Sequence, residues 1–167
     1  MSIFSRKPKR SLLWLGVFAG ATWVAAKVGR AASNRPRSLW YRLLSKPKAQ
    51  PPAWVFGPVW TALYATTAYS AFRVFKQPAS DERSRALRLW WSQLALNGAW
   101  TPLFFGAHRA RWALADLAAL GVAASGYTRA AARVDRPAAW LMTPYLGWLG
   151  FAGYLNGRIV QQNRLLA

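Results

Sequence analysis

The stretch Ala53–Phe75, AWVFGPVWTALYATTAYSAFRVF, carries no charged residue before Arg73. A bilayer's hydrocarbon core is about 30 Å thick and takes roughly 20 apolar residues of helix to cross. This stretch is long enough. In hydrocarbon a backbone must satisfy its own hydrogen bonds, so the expected form is a helix. Four other stretches meet or approach that length: Ser11–Ala26, Leu87–Ala107, Trp112–Thr128 and Ala138–Val160. Each is bounded by charges or prolines. Aromatic residues gather near the ends, at Trp40, Tyr41, Trp54, Trp90, Trp91, Trp112 and Trp140, as an interfacial belt requires. The expected fold class is an all-α membrane protein, a bundle of five transmembrane helices.

Composition agrees once the charge is located. The chain has 167 residues, one domain by length, with 23 Lys and Arg against 4 Asp and Glu and a net charge of +19. Such a balance suits either a nucleic-acid binder or a membrane protein with cationic ends. A nucleic-acid domain keeps its charge on one folded face. Here the basic residues cluster in short segments between long uncharged runs, so the expected partner is the lipid bilayer and not nucleic acid. There is no Cys, which removes disulfides, thiol nucleophiles and Cys-rich zinc sites. The one His, His108, is flanked by basic residues; metal sites need several donors, so no metal is expected.

The first stretch follows Arg6, Lys7, Lys9 and Arg10 and is followed by Lys27 and Arg30. Those later charges argue for an anchor and not a secretory signal. A mitochondrial transit peptide would be amphipathic, which this run is not. The two sides of a five-helix bundle carry nearly equal numbers of basic residues, so the positive-inside rule gives no orientation. The expected organisation is a basic flank (1–10), a transmembrane domain (11–162) and a short tail (163–167). The connection 27–52 contains Trp40, Tyr41, Pro36, Pro47, Pro51 and Pro52. Prolines stiffen it, and it reads either as a lid over one mouth of the bundle or as a plain connector. Small residues recur one turn apart at Gly16/Gly20, Gly121/Ser125 and Gly153/Gly157. They are expected to let helices approach closely within the bundle, or between two copies.

Side-chain periodicity finds three mixed faces. Gln93, Asn97, Trp100 and Phe104 share one helical face, as do Phe56, Trp60, Leu63 and Thr67. Tyr145, Trp148, Ala152 and Leu155 form a third, with Asn156 beside it. Polar groups are costly in hydrocarbon, so Gln93 and Asn97 should point inward. They would either glue helices together or anchor a flat apolar ligand between tryptophan walls. Asp116 is the only carboxylate within a predicted span; Arg109 or Arg111 could pair with it, and it reads as a structural anchor more than as a proton relay, which needs a series of titratable groups. Leu149, Tyr154 and Arg158 fit a loose sterol-recognition pattern, a weak signal. No carboxylate pair, Ser-His-Asp set or phosphate-binding glycine loop occurs. No enzyme is expected and no catalytic residue is assigned.

The segments Trp40-Tyr41, Lys46-Pro47 and PPAWVFGPVWTALY (51–64) resemble the translocator protein / tryptophan-rich sensory protein (TspO/MBR) family. So do QLALNGAWTPLFFG (93–106), WALADL (112–117), PYLGW (144–148) and Leu155-Asn156. The resemblance spans about Leu12 to Gln162. It implies a five-helix bundle, often dimeric, that binds porphyrins and haem-related tetrapyrroles, with sterols bound by some members. It implies a pocket under the first loop, lined by Trp60, Asn97, Trp100, Trp112, Trp148, Ala152 and Leu155, with Trp40, Tyr41 and Pro51 in the lid. Porphyrin or haem is then ligand and no cofactor is required. Some members promote light-dependent porphyrin breakdown, for which Trp60 and Trp148 would be the redox participants. Three places depart from the family pattern. Gly157 and Arg158 stand where its sterol segment has aromatics, Arg88 and Ser92 where its small-residue dimer seam runs, and Gly98 where an aromatic is common. The implied function is a membrane receptor for tetrapyrroles, acting in sensing, transport or turnover. The competing readings are a sterol or lipid carrier and a ligand-free helper of membrane complexes. The implied location is a bacterial inner or mitochondrial outer membrane.

Overall fold

A computed structural model describes residues 8–33 and 39–164, with side chains from 12 to 31 and from 39 to 164. Residues 1–7 of the basic flank, Pro36 in the connection and residues 165–167 of the tail lie outside the described residues. Among the described residues every element is helical: α1 (Pro8–Ser33), α2 (Leu39–Leu43), α3 (Ala53–Lys76), α4 (Asp81–Thr101), α5 (Ala110–Val134), α6 (Arg136–Trp140) and α7 (Thr143–Gln162). A π turn, Pro102–Gly106, continues α4. The five long helices run alternately up and down. One end of the bundle carries α2, the π turn and the end of α7. The other carries α6 and the α3–α4 turn.

Helix ends fall at local chemistry and not at the first charge. α4 starts at Asp81, earlier than the uncharged run, because the Ser80 hydroxyl caps it by accepting from the Arg83 amide at 3.1 Å. Asp81 and Glu82 then occupy the first turn, where the helix dipole favours anions. α1 continues past Lys27 and Arg30 to Ser33, so the connection begins later than 27. The last predicted stretch divides into α6 and α7, each opening near a proline, Pro137 and Pro144. At the far end of α4, Pro102 supplies no N–H. The chain widens: Ala107 N–H reaches the Pro102 carbonyl at 2.8 Å and Arg109 N–H reaches Leu103 at 3.1 Å. His108 sits at φ 57°, the left-handed position that closes such a turn.

The main core centres on Trp90, fully buried, which donates its ring N–H to the Thr67 carbonyl at 3.0 Å. Phe18 meets it edge-on, 5.0 Å away at 87°. α5 buries a row of small residues, including Ala113, Ala124 and Ala131, which lets α4 and α5 pack along their length. At the α6 end, Arg73 makes a two-pronged ion pair with Asp135, at 2.7 and 3.2 Å. Beside it the Tyr127 hydroxyl donates to Ser70 at 2.6 Å, and Ser70 donates to the Ala138 carbonyl at 2.7 Å. That end is pinned shut.

Among the described residues, one helix segment, Leu12–Ala31, is long and apolar enough by composition to cross a membrane. The other long helices are more mixed; α4 opens with Asp81, Glu82, Arg83, Arg85 and Arg88. Large apolar side chains nonetheless stand on the outer surface of several elements, among them Leu13, Trp23, Val24, Val122 and Tyr154.

The glycines of the small-residue pairs make no close helix contact within the chain. A methyl group added at Gly16, Gly20, Gly121, Gly153 or Gly157 would meet open space. These glycines do not draw helices together within the bundle. Gly121, Ser125, Gly150 and Gly153 instead line an open groove of about 490 Å³ between α5 and α7, with Leu117 and Leu149.

Candidate ligand cleft

α3 and α7 approach each other at few points, and large rings bridge the gap between them. Trp148 meets Phe56 at 5.7 Å and Trp60 at 6.4 Å, nearly perpendicular in each case (75° and 85°). Trp60 also meets Tyr64 at 5.3 Å and Tyr145 at 6.4 Å. Edge-to-face packing of this kind is a favourable geometry for aromatic pairs. Trp60 and Trp148 are each half-buried. Ala152 lies one turn beyond Trp148 and is half-buried, while Leu155 is buried.

A polar network supports the rings. The Tyr64 hydroxyl donates to Asn97 Oδ1 at 2.6 Å, and Asn97 Nδ2 donates to the Tyr145 hydroxyl at 3.1 Å. Asn97 therefore ties α3, α4 and α7 together at one point. An amide has two donor hydrogens and two acceptor lone pairs, so Asn97 retains one of each. Two neighbours on its helical face are unsatisfied: Gln93 Oε1 and the Trp100 ring N–H are buried without a hydrogen-bond partner. Each such group costs about 1–3 kcal/mol. Trp100 stacks on Phe104 of the π turn, 5.2 Å apart at 15°, so its indole is held in place while its N–H stays unused.

One of the expected site residues stands apart, and one expected ion pair is corrected. Trp112 is 65% exposed and lies outside the ring cluster. It lies in the first turn of α5, where Ala110 and Ala113 take the inward positions, and the helical period turns Trp112 outward. Asp116 makes no ion pair with Arg109 or Arg111 among the described residues. Its Oδ2 is buried without a partner, and Arg111 donates instead to the Arg164 carbonyl at 2.8 Å.

The segment 39–52 packs on the π turn, the start of α5 and the end of α7. Trp40 meets Phe104 edge-on at 5.5 Å and His108 at 4.7 Å and 30°. Tyr41 packs on Phe105 at 5.3 Å, accepts from Gln50 Nε2 at 2.8 Å and lies under the Lys46 ammonium at 4.5 Å. Leu44 is buried with Phe104, Ala110, Ala113 and Ile159 in a second small core. Pro51 is half-buried. The segment is fastened by Asn163, just past α7. Its Oδ1 accepts from Ser45 N–H at 2.8 Å, and its Nδ2 donates to the Ser45 carbonyl at 2.9 Å. The side chain of Asn156, oriented by its surroundings, spans Ala110 O (3.2 Å) and Leu114 N (3.0 Å), joining α7 to α5 beneath that fastening.

Sequence reading passed over Tyr64, Gln50 and Asn163. Tyr64 had a readable signal, one turn after Trp60 on the same face. Gln50 and Asn163 had none, since each works through a contact that only the folded chain creates.

An all-helical bundle with an aromatic ring cluster between α3 and α7, and with its first connecting segment fastened to the end of α7, is the class that fold and site define. Residues 12–161 match the profile of the TspO/MBR family. The chain is 40% identical to the translocator protein of Bos taurus over 153 residues, 90% of this chain and 85% of that one. It is 40% identical to the human translocator protein over 151 residues, 89% and 84% of the two chains. It is 34% identical to the tryptophan-rich protein TspO of Chlorobaculum tepidum over 155 residues, 92% and 98%. The chain belongs to the TspO/MBR family.

Proposed function

We propose that the protein is an integral membrane receptor whose cleft between α3 and α7 binds a tetrapyrrole, a porphyrin or a haem-related ring. In this reading α1, α3, α4, α5 and α7 all cross the bilayer. The apolar side chains on the outer surface support that placement, because water-soluble monomers rarely leave such surface bare. Relatives are named translocator and sensory proteins, which agrees with sensing or transport of the ligand. Both animal and bacterial relatives occur, so the reading extends to a membrane without selecting which.

The observation that carries the ligand class is the pairing of bridging rings with unused polar atoms. Phe56, Trp60, Tyr145 and Trp148 offer aromatic faces and edges to a flat apolar body. Gln93 Oε1 and the Trp100 N–H offer one acceptor and one donor on the helix that closes the cleft. Flat macrocycles with pyrrole N–H donors and a few polar substituents suit that combination. Exposed cations at the lid end, Arg42, Lys48 and Arg109, attract propionate groups during approach. The residues bind and shield the ring; no group is assigned to chemistry on it. The test is titration of the detergent-purified protein with a porphyrin while tryptophan emission is read. Saturable quenching at one ring per chain supports the reading. A linear, non-saturating response contradicts it.

A further inference from the structure

The lid helix α2 has two faces. Trp40 and Tyr41 pack on the π turn, and Leu44, just after the helix, is buried with them. Leu39 and Leu43, one turn apart, point away and are 70% and 60% exposed. Among the described residues nothing covers them. Arg42 lies between them and is exposed, with Lys48 and Arg109 also exposed nearby. The acidic residues lie elsewhere. Asp81, Glu82 and Asp135 are at the opposite end of the bundle, and Asp116 is half-buried in α5, further from the lid end than Arg109 and Arg111. The lid end is therefore purely cationic on its described surface, with two leucines set among the charges.

We propose that this outer face of α2 docks into the headgroup layer of an anionic leaflet. Paired leucines beside cations are what an interfacial segment uses: apolar area for the acyl boundary and charge for acidic headgroups. Depth agrees. α3 has 24 residues, about 36 Å at 1.5 Å each, longer than the roughly 30 Å hydrocarbon core. Such a helix extends past the core at one end or both, and the aromatic residues at its lid end set α2 at the headgroup level. Exposed Trp54 and Trp112 at the same end mark that level as aromatic interfacial anchors do.

The proposal rests on the transmembrane reading above, and the experiment separates the two. Because the chain has no cysteine, Leu43→Cys and Val122→Cys each give a single labelling site. Val122 lies midway along α5 and is 75% exposed. Each variant, labelled with an environment-sensitive fluorophore, is reconstituted in phosphatidylcholine vesicles with or without phosphatidylglycerol. Nitroxide lipids quench at headgroup depth or deep in the acyl chains. The expected result is deep quenching of the Val122 label in both membranes. The Leu43 label gives a blue shift and headgroup-depth quenching in anionic vesicles, lost when Arg42 and Lys48 are changed to Gln. A water-like Leu43 label beside a quenched Val122 label overturns the docking and leaves the transmembrane reading standing. Equal quenching of the Leu43 label in both membranes overturns the charge requirement. No quenching at Val122 overturns both.

Discussion

Asn163 holds the peptide of Ser45 from both sides, accepting from its N–H at 2.8 Å and donating to its carbonyl at 2.9 Å. Its Nδ2 also donates to the Ile159 carbonyl at 2.8 Å. One amide therefore joins the lid segment to the last turn of α7, the helix that carries Trp148. The connecting segment and the helix that carries Trp148 share a fastening.

Replacing Asn163 with Ala removes both bonds to Ser45 and leaves its backbone groups to water at the end of the bundle. Each net bond is worth about 1 kcal/mol, so bound porphyrin should dissociate roughly 5–30-fold faster. Affinity should fall mainly through this rate. Stopped-flow displacement of porphyrin measures it. An unchanged dissociation rate would mean that the segment does not gate the cleft.

Asn97 is the meeting point of three helices. Asn97→Leu strands the Tyr64 and Tyr145 hydroxyls, and the loss should be about 1–3 kcal/mol of stability. Thermal unfolding in detergent reads it. Tyr64→Phe removes one bond without burying a new unpaired group of its own, and its melting temperature should fall by less. If both variants melt as the wild type does, the network does not hold the helices.

Trp112 faces outward, so Trp112→Ala should leave porphyrin affinity within about twofold of wild type, below the scale of a missing aromatic pair. Trp148→Ala should weaken it. A fluorescence titration of the two variants side by side decides whether the position of Trp112 outside the cleft holds in the bound state. Equal losses would show that it does not.

At the opposite end the Arg73–Asp135 pair lies far from the cleft mouth. Asp135 is the more buried partner, 10% exposed against 33%. Removing Arg73 leaves that carboxylate unpaired, and stability should fall by about 1–3 kcal/mol. Porphyrin affinity of the folded Arg73→Leu protein should stay unchanged. A selective loss of affinity would place this end in the binding path.

Much of this fold is written locally. The uncharged run from Ala53 shows α3, and the four-three spacing of Gln93, Asn97 and Trp100 gives α4 its inward face. Phe56 and Trp60 share a face by the same rule, and both meet Trp148. Other features escape sequence because the deciding contact is tertiary. Asn163 lies 118 residues from Ser45, so nothing near it announces a partner. Trp112 comes from the family resemblance and not from spacing, and it stands exposed where Ala110 and Ala113 take the inward positions of α5. The one-turn glycine pairs mislead because small residues permit close approach without requiring it. Helix ends run past Lys27 and Arg30 because long cationic side chains can lie along a helix and extend their charge outward. The ion pair expected for Asp116 fails for a related reason: Arg111 has a carbonyl in reach at Arg164.

The most direct test is porphyrin affinity in the Trp60→Ala/Trp148→Ala double variant, measured in lipid nanodiscs beside wild type. Porphyrin absorbance should be the signal, since the substitutions themselves alter tryptophan emission. Removing both indole rings should weaken binding by at least about tenfold, roughly 1.4 kcal/mol, with the helical content unchanged. Wild-type affinity in a folded double variant would contradict the cleft between α3 and α7 as the binding site.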